Sequence, residues 1–216
     1  MTSRNRYFAM ATPQVLPFLD GIFAVAFTLM AYSIPEDLRA GGDGLKDLLI
    51  AISGFLLGAV AVILFWFKLR RLVLLARELH LTQLILGFLA VLSIVAIPKM
   101  GALVVRYGQG AGSISDWTIS QGINTLYLGT LFFFDILILL FAASLREHGP
   151  LRAGSQRLIA DLVHCQLLGT LVLLGLAVLE LLTEWFNTEY LLLVPLVLIL
   201  EELIIALRFA ASCEGR

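Results

Sequence analysis

Six apolar stretches, each about long enough to cross a bilayer as a helix, dominate this chain. They cover residues 15–34, 48–67, 82–105, 120–143, 160–183 and 190–210. A soluble fold has no interior large enough for six such segments, since soluble domains are roughly 45–50% apolar. Here the figure is 60% over 216 residues, with a mean hydropathy of +0.95. The reading is an all-α membrane protein with one six-helix transmembrane domain over 1–216. The third stretch is expected to be interrupted at Pro98-Lys99, and the sixth at Pro195 and Glu201-Glu202. The connecting segments are short and leave no room for a second, soluble domain. The polar start, MTSRNRYFAMATPQ, lacks the apolar core and cleavage site of a removable signal peptide.

The charges between the stretches set an orientation. Arg4 and Arg6, then Lys68, Arg70, Arg71 and Arg77, then Arg146, Arg152 and Arg157, then Arg208 and Arg216 put eleven basic residues on one side. The other side has four: Arg39, Lys46, Lys99 and Arg106. By the positive-inside rule both termini are cytoplasmic, and an even number of spans fits this. The outer segments hold Glu36, Asp37, Asp43, Asp47, Asp116, Glu184 and Glu189. These either concentrate cations at an outer mouth or are acids left where basic residues are disfavoured. A formal net charge of −1 argues against nucleic acid as a partner.

The first stretch, QVLPFLDGIFAVAFTLMAYSIPE, is the most patterned. At helical spacing Phe18, Gly21, Val25, Thr28 and Tyr32 form one narrow stripe, and Phe23, Phe27 and Met30 lie opposite. A stripe of small and medium residues backed by large ones suits a helix facing protein on one side and lipid on the other. Either the stripe packs inside a bundle, or it lines a pore at an oligomer axis.

Ionisable groups within a bilayer are costly and are paired or functional. Asp20 lies off the stripe and is expected to contact a neighbouring helix. Asp135 follows three phenylalanines, so it either accepts a hydrogen bond from another helix or keeps its proton. Glu201 and Glu202 are adjacent and cannot share a helical face. Cys165 and Cys213 form no CxxC, and Cys165 reads as a small core residue. His80, His148 and His164 lack metal-ligand spacing. The glycines of RYGQGAGSISDW have neither the spacing nor the strand-to-helix context of a nucleotide loop. Gly54 and Gly58 form a GxxxG of close helix contact, a pattern common in apolar helices. No HExxH, GxSxG or P-loop motif is present, so nothing marks an enzyme.

The run Phe18-Leu19-Asp20-Gly21-Ile22-Phe23-Ala24-Val25-Ala26-Phe27-Thr28-Leu29 resembles the first helix of the transmembrane-protein-175 family of potassium channels. Its motif is R-x-x-x-F-S-D followed by G-V-F-A-I-A-x-T-L. Phe18, Asp20, Gly21, Phe23, Ala24, Ala26, Thr28 and Leu29 match it. Trp66, Gln83 and Ile97-Pro98 look like the family's second and third helices. Gln14 stands where the motif has arginine and Leu19 where it has serine. Asp20 therefore lacks the motif's basic partner, and Lys68 or Arg70 is the expected substitute. The family's histidines after the second-helix tryptophan are replaced by Phe67-Lys68-Leu69-Arg70.

The resemblance implies a homotetramer in the cell membrane, with the first helix of each subunit facing the axis. It implies a pore for potassium ions, with no bound cofactor and no metal beyond the permeating ions. The positions corresponding to the family's apolar constriction are Val25, Thr28 or Leu29, and Tyr32. The Tyr32 hydroxyl would meet either a permeating ion or a neighbouring side chain. Phe18, Asp20 and Gly21 would form the motif's inter-helix contacts. Two rival readings are a non-conducting scaffold of the same fold and a proton-coupled carrier using Asp135 and Glu201-Glu202.

Overall fold

The computed structural model describes residues 10–38, 44–107, 113–114, 117–148, 151, 155–183 and 193–214, with the side chains of some helical residues left out. The helices are α1 (Thr12–Leu38), α2 (Gly44–Leu75), α3 (Leu81–Ile94), α4 (Ala96–Tyr107), α5 (Ile119–His148), α6 (Ser155–Thr183) and α7 (Leu193–Glu214). The first, second, fourth and fifth apolar stretches each fall within a helix and the third within the pair α3 and α4; the sixth, from residue 193 on, is α7, which runs unbroken through Pro195 and Glu201-Glu202 rather than being interrupted there. The break in the third comes at Val95, slightly before the expected Pro98. Pro98 has no N–H for the Ile94 carbonyl, and its ring crowds that same carbonyl, so the fault appears one turn upstream of the proline.

Among the described residues four segments are long and apolar enough to cross a membrane: Thr12–Leu29, Leu81–Gly101, Gln121–His148 and Ser155–Leu182. The other two long helices carry charge within them. Lys68, Arg70 and Arg71 lie in α2, and Glu201 and Glu202 in α7. With this many apolar helices the chain is a multi-pass membrane protein.

One end of the bundle is tied by short backbone links. Strands β1 (Met10–Ala11) and β2 (Glu78–Leu79) pair antiparallel, with Met10 opposite Leu79. The Thr12 hydroxyl donates to the carbonyls of Ala76 at 2.9 Å and Arg77 at 3.0 Å. It thereby satisfies acceptors freed where α2 ends. Ala76 also bridges Leu151, in the connection between α5 and α6. The start of α1, the end of α2, the start of α3 and the α5–α6 connection thus meet at one end, where Arg77, Arg146 and Arg157 are exposed. Beyond α4, strands β3 (Ser113–Ile114) and β4 (Trp117–Thr118) form a second small hairpin.

The core is apolar and aromatic: Phe65, Tyr127, Phe134 and Phe141 are fully buried, and Phe65 meets Phe134 at 4.1 Å between ring centres. Gln83 fixes α3 to this core. Its side chain accepts from the His80 N–H at 2.9 Å, closing the first turn, and donates to the Ser144 carbonyl on α5 at 3.4 Å. Cys165 is buried, as its apolar setting suggests. The glycine-rich stretch 108–112 and the acids Asp43, Asp116, Glu184 and Glu189 lie outside the described residues. So do the side chains of Glu36, Asp37, Asp47 and Cys213.

Candidate functional site

Two places in the bundle concentrate polar chemistry or unusual exposure: the outer face of α1 and a buried charge cluster.

On α1 burial follows the helical period. Thr12, Val15, Leu19, Phe23 and Ala26 are buried against α2 and its neighbours. Gln14, Pro17, Phe18, Gly21, Ala24, Val25, Thr28 and Leu29 are exposed and lie on the other side. The stripe read from the sequence is therefore the face this subunit leaves uncovered. Val25 keeps 55% of its surface and Leu29 51%. The Thr28 hydroxyl donates back to the Ala24 carbonyl at 2.9 Å, which leaves its oxygen lone pairs facing outward. Nothing lies within 4 Å of a side chain built at Gly21, so that position widens the groove. Phe18 sits at the edge of the stripe with its ring edge-on to Phe88 of α3, 5.2 Å between centres. The side chains of Met30 and Tyr32 are outside the described residues.

The large-residue side of α1 corrects one expectation. Phe23 does not face lipid; it is 4% exposed and meets Trp66 at 6.4 Å between ring centres. Six helices in one subunit provide enough packing surface to cover a bulky face, so bulk marks the subunit core and smallness marks the open side. Leu19, in place of the motif serine, is part of this core.

Asp20 accepts a hydrogen bond from the Trp66 indole N–H at 2.8 Å, linking α1 to α2. Lys68 is not its substitute partner, because its amine is taken up elsewhere. Arg70 instead covers the far side of the pair, its guanidinium 4.9 Å from the Trp66 ring centre. A neutral donor thus stands where a cation was expected.

The charge cluster gathers four helices. Lys68 Nζ on α2 donates to Asp135 Oδ1 on α5 at 3.0 Å and to Glu201 Oε2 on α7 at 2.8 Å. From α6, Gln166 Nε2 donates to Asp135 Oδ1, and the Thr170 hydroxyl donates to Asp135 Oδ2 at 2.7 Å. One turn along α2, Arg71 pairs with Glu202 Oε2 at 2.6 Å. The adjacent glutamates thus point to different cations. Lys68 and Asp135 side chains are 2% and 0% exposed, and both glutamates 10%. A cavity with room for about one water molecule opens beside Lys68, Arg71, Gln166 and Glu202. Leu72 and Ile205 line it as well.

Asp135 and the Glu201-Glu202 pair are visible in the sequence as costly acids, and the structure brings them together around Lys68. Gln166 and Thr170 are missed by sequence reading. Their signal is a Q-x-x-x-T spacing that puts an amide and a hydroxyl on one face of an otherwise apolar helix. Glu180 is missed as well. It is buried near the other end of α6, accepting from Asn124 Nδ2 at 3.1 Å, while Gln121 donates to the Glu180 and Leu181 carbonyls. Among the described residues no cluster of three or more His, Cys, Asp and Glu side chains is arranged to hold a metal ion.

The family model of the endosomal/lysosomal potassium channel TMEM175 matches residues 14–98. The matched segment runs from Gln14 to Pro98 and so contains the α1 stripe, the Asp20–Trp66 pair and Lys68. Among solved structures, the chain is similar to the crystal structure of a lysosomal potassium-selective channel TMEM175 homolog from Chamaesiphon minutus. The two share 16% identity at a TM-score of 0.68, over 88% of this chain and 96% of that one. That likeness extends the shared fold well past residue 98. No curated protein matches the chain.

Proposed function

We propose that this chain forms a homotetrameric cation channel that passes potassium, with α1 of each subunit at the axis and both termini cytoplasmic. The observation that carries the reading is the exposed stripe of Gly21, Val25, Thr28 and Leu29. These residues leave one face of a membrane helix uncovered, within a segment that has TMEM175-family sequence. In a symmetric tetramer, four copies of each residue meet around one axis. Four Val25 side chains form an apolar neck that excludes water when narrow, and four Thr28 oxygens beyond it replace part of an ion's hydration. Leu29 flanks the neck, and Tyr32 takes the next position along the helix. Asp20 and Phe18 keep α1 seated on α2 and α3, so the neck is held by rigid neighbours. The neighbour solved from Chamaesiphon minutus is named a potassium-selective channel, and potassium is the permeant ion proposed for this chain too.

Potassium efflux from liposomes containing the purified protein tests the reading. Flux above protein-free liposomes, carried by assemblies of four subunits, is the expected result. No flux from intact tetramers would favour the scaffold reading. The carrier reading draws on the cluster around Lys68, and flux that saturates and moves protons with potassium would favour it.

A further inference from the structure

The charge cluster is one positive charge short. Three carboxylates enter it, Asp135, Glu201 and Glu202, and two cations, Lys68 and Arg71. The helices packed around it add nothing charged: α6 contributes Gln166 and Thr170, while its Asp161 and His164 are exposed. Among the described residues no further cation reaches the site.

The hydrogen bonds show where the deficit falls. Asp135 receives three donors, from Lys68, Gln166 and Thr170. Glu202 has Arg71. Glu201 shares Lys68 with Asp135 and has no donor of its own. The second oxygens of both glutamates, Glu201 Oε1 and Glu202 Oε1, are buried with no hydrogen-bond partner, on side chains nine-tenths buried. Glu202 lines the water-sized cavity. Glu201 instead packs against backbone on α6: a side chain built at Gly169 would lie 2.6 Å from the Glu201 carboxylate carbon and from both oxygens. Only glycine there lets the carboxylate settle so deep. A water molecule in the cavity would satisfy an oxygen but not the charge, and a bare carboxylate in such surroundings is strongly disfavoured.

We infer that each subunit binds one monovalent cation, a proton or an alkali ion, at Glu201, inside the helix bundle and away from the α1 face. The site is independent of whether the protein conducts, and its test does not measure flux.

The test is infrared difference spectroscopy of the full-length protein in lipid films, compared with Glu201→Gln. One arm changes pH at constant potassium. The other replaces potassium by a bulky organic cation at constant pH. If the ligand is a proton, the parent shows one more protonated carboxyl per subunit than Glu201→Gln, lost as pH rises, with no response to potassium. If it is an alkali ion, one carboxylate stretch per subunit shifts when potassium is withdrawn. Asp135→Asn removes the same surplus charge from another helix and is expected to abolish either response. Gly169→Ala keeps every charge but displaces the Glu201 carboxylate, and is expected to weaken it. Either of these replaces Glu201→Gln as the comparison if that variant does not fold. A parent spectrum matching the variants in both arms would overturn the inference. So would a response that persists in all three variants.

Discussion

Replacing Lys68 by methionine is the most informative perturbation of the fold. The substitution keeps the length and apolar stem of the side chain and removes only the ammonium. Asp135 retains Gln166 and Thr170 but loses its cation, and Glu201 loses its one donor. Breaking a buried pair by removing one partner costs about 3–5 kcal/mol, because a charge is left uncompensated. Two effects reduce this. Polar contacts between membrane helices average only about 0.6 kcal/mol, since the unfolded chain in lipid also finds partners. Either acid can also take up a proton. Against them stands the arrangement itself: one amine serves two carboxylates on separate helices, and Asp135 is fully buried. A loss of about 2–4 kcal/mol is expected, toward the buried-pair value. Reversible unfolding in mixed micelles, followed by tryptophan fluorescence, measures it. Neutralising the partners as well, in Lys68→Met/Asp135→Asn/Glu201→Gln, is expected to recover most of the loss. A Lys68→Met protein within about 0.5 kcal/mol of the parent, the range of ordinary surface substitutions, would refute the view that this cluster ties α2, α5 and α7 together.

Other expectations follow from the same contacts. Trp66→Phe keeps the ring packing on Phe23 but leaves Asp20 without its donor, costing about 1–3 kcal/mol in unfolding experiments and lowering tetramer yield. Asp20→Ala is expected to lower tetramer yield as well; assembly and conduction equal to the parent would show that the contact is dispensable. Phe23→Ala is a core truncation and is expected to cost about 3–5 kcal/mol, whereas a lipid-facing phenylalanine would cost little. Single cysteines at Ser3 and Ser113, in a background lacking Cys165 and Cys213, are expected to label from the cytoplasmic and external sides respectively; the reverse would invert the topology.

The apolar helical stretches and the two-sided character of α1 were legible in the sequence, whereas which side of α1 the subunit leaves uncovered was not. Twenty-residue apolar runs and a three-four repeat of small residues are properties of one segment read alone. Partner choice was not legible either. Asp20 and Lys68 look complementary on paper, but Lys68 lies two residues after Trp66 and so projects from α2 about 200° away from it. Trp66 faces α1, and Lys68 faces α5 and α7. A rotation of about 100° separates Glu201 from Glu202 and sends them to different cations. Phe23 was misplaced because a single helix does not reveal how many neighbours cover it. Gln166 and Thr170 carry no charge and stand out only once Asp135 is opposite them.

The central claim is that α1 lines a conducting pore whose narrowest polarity is set by Val25. Potassium and sodium flux in proteoliposomes, normalised to tetramer content, tests it in three proteins. Val25→Asn is expected to raise flux several-fold and weaken discrimination between potassium and sodium, because a wetted neck admits hydrated ions. Val25→Trp is expected to block flux by filling the neck while leaving the subunit fold intact, since Val25 is exposed on the isolated subunit. If both variants assemble as tetramers and match the parent in flux and selectivity, the exposed face of α1 does not line a conducting pore.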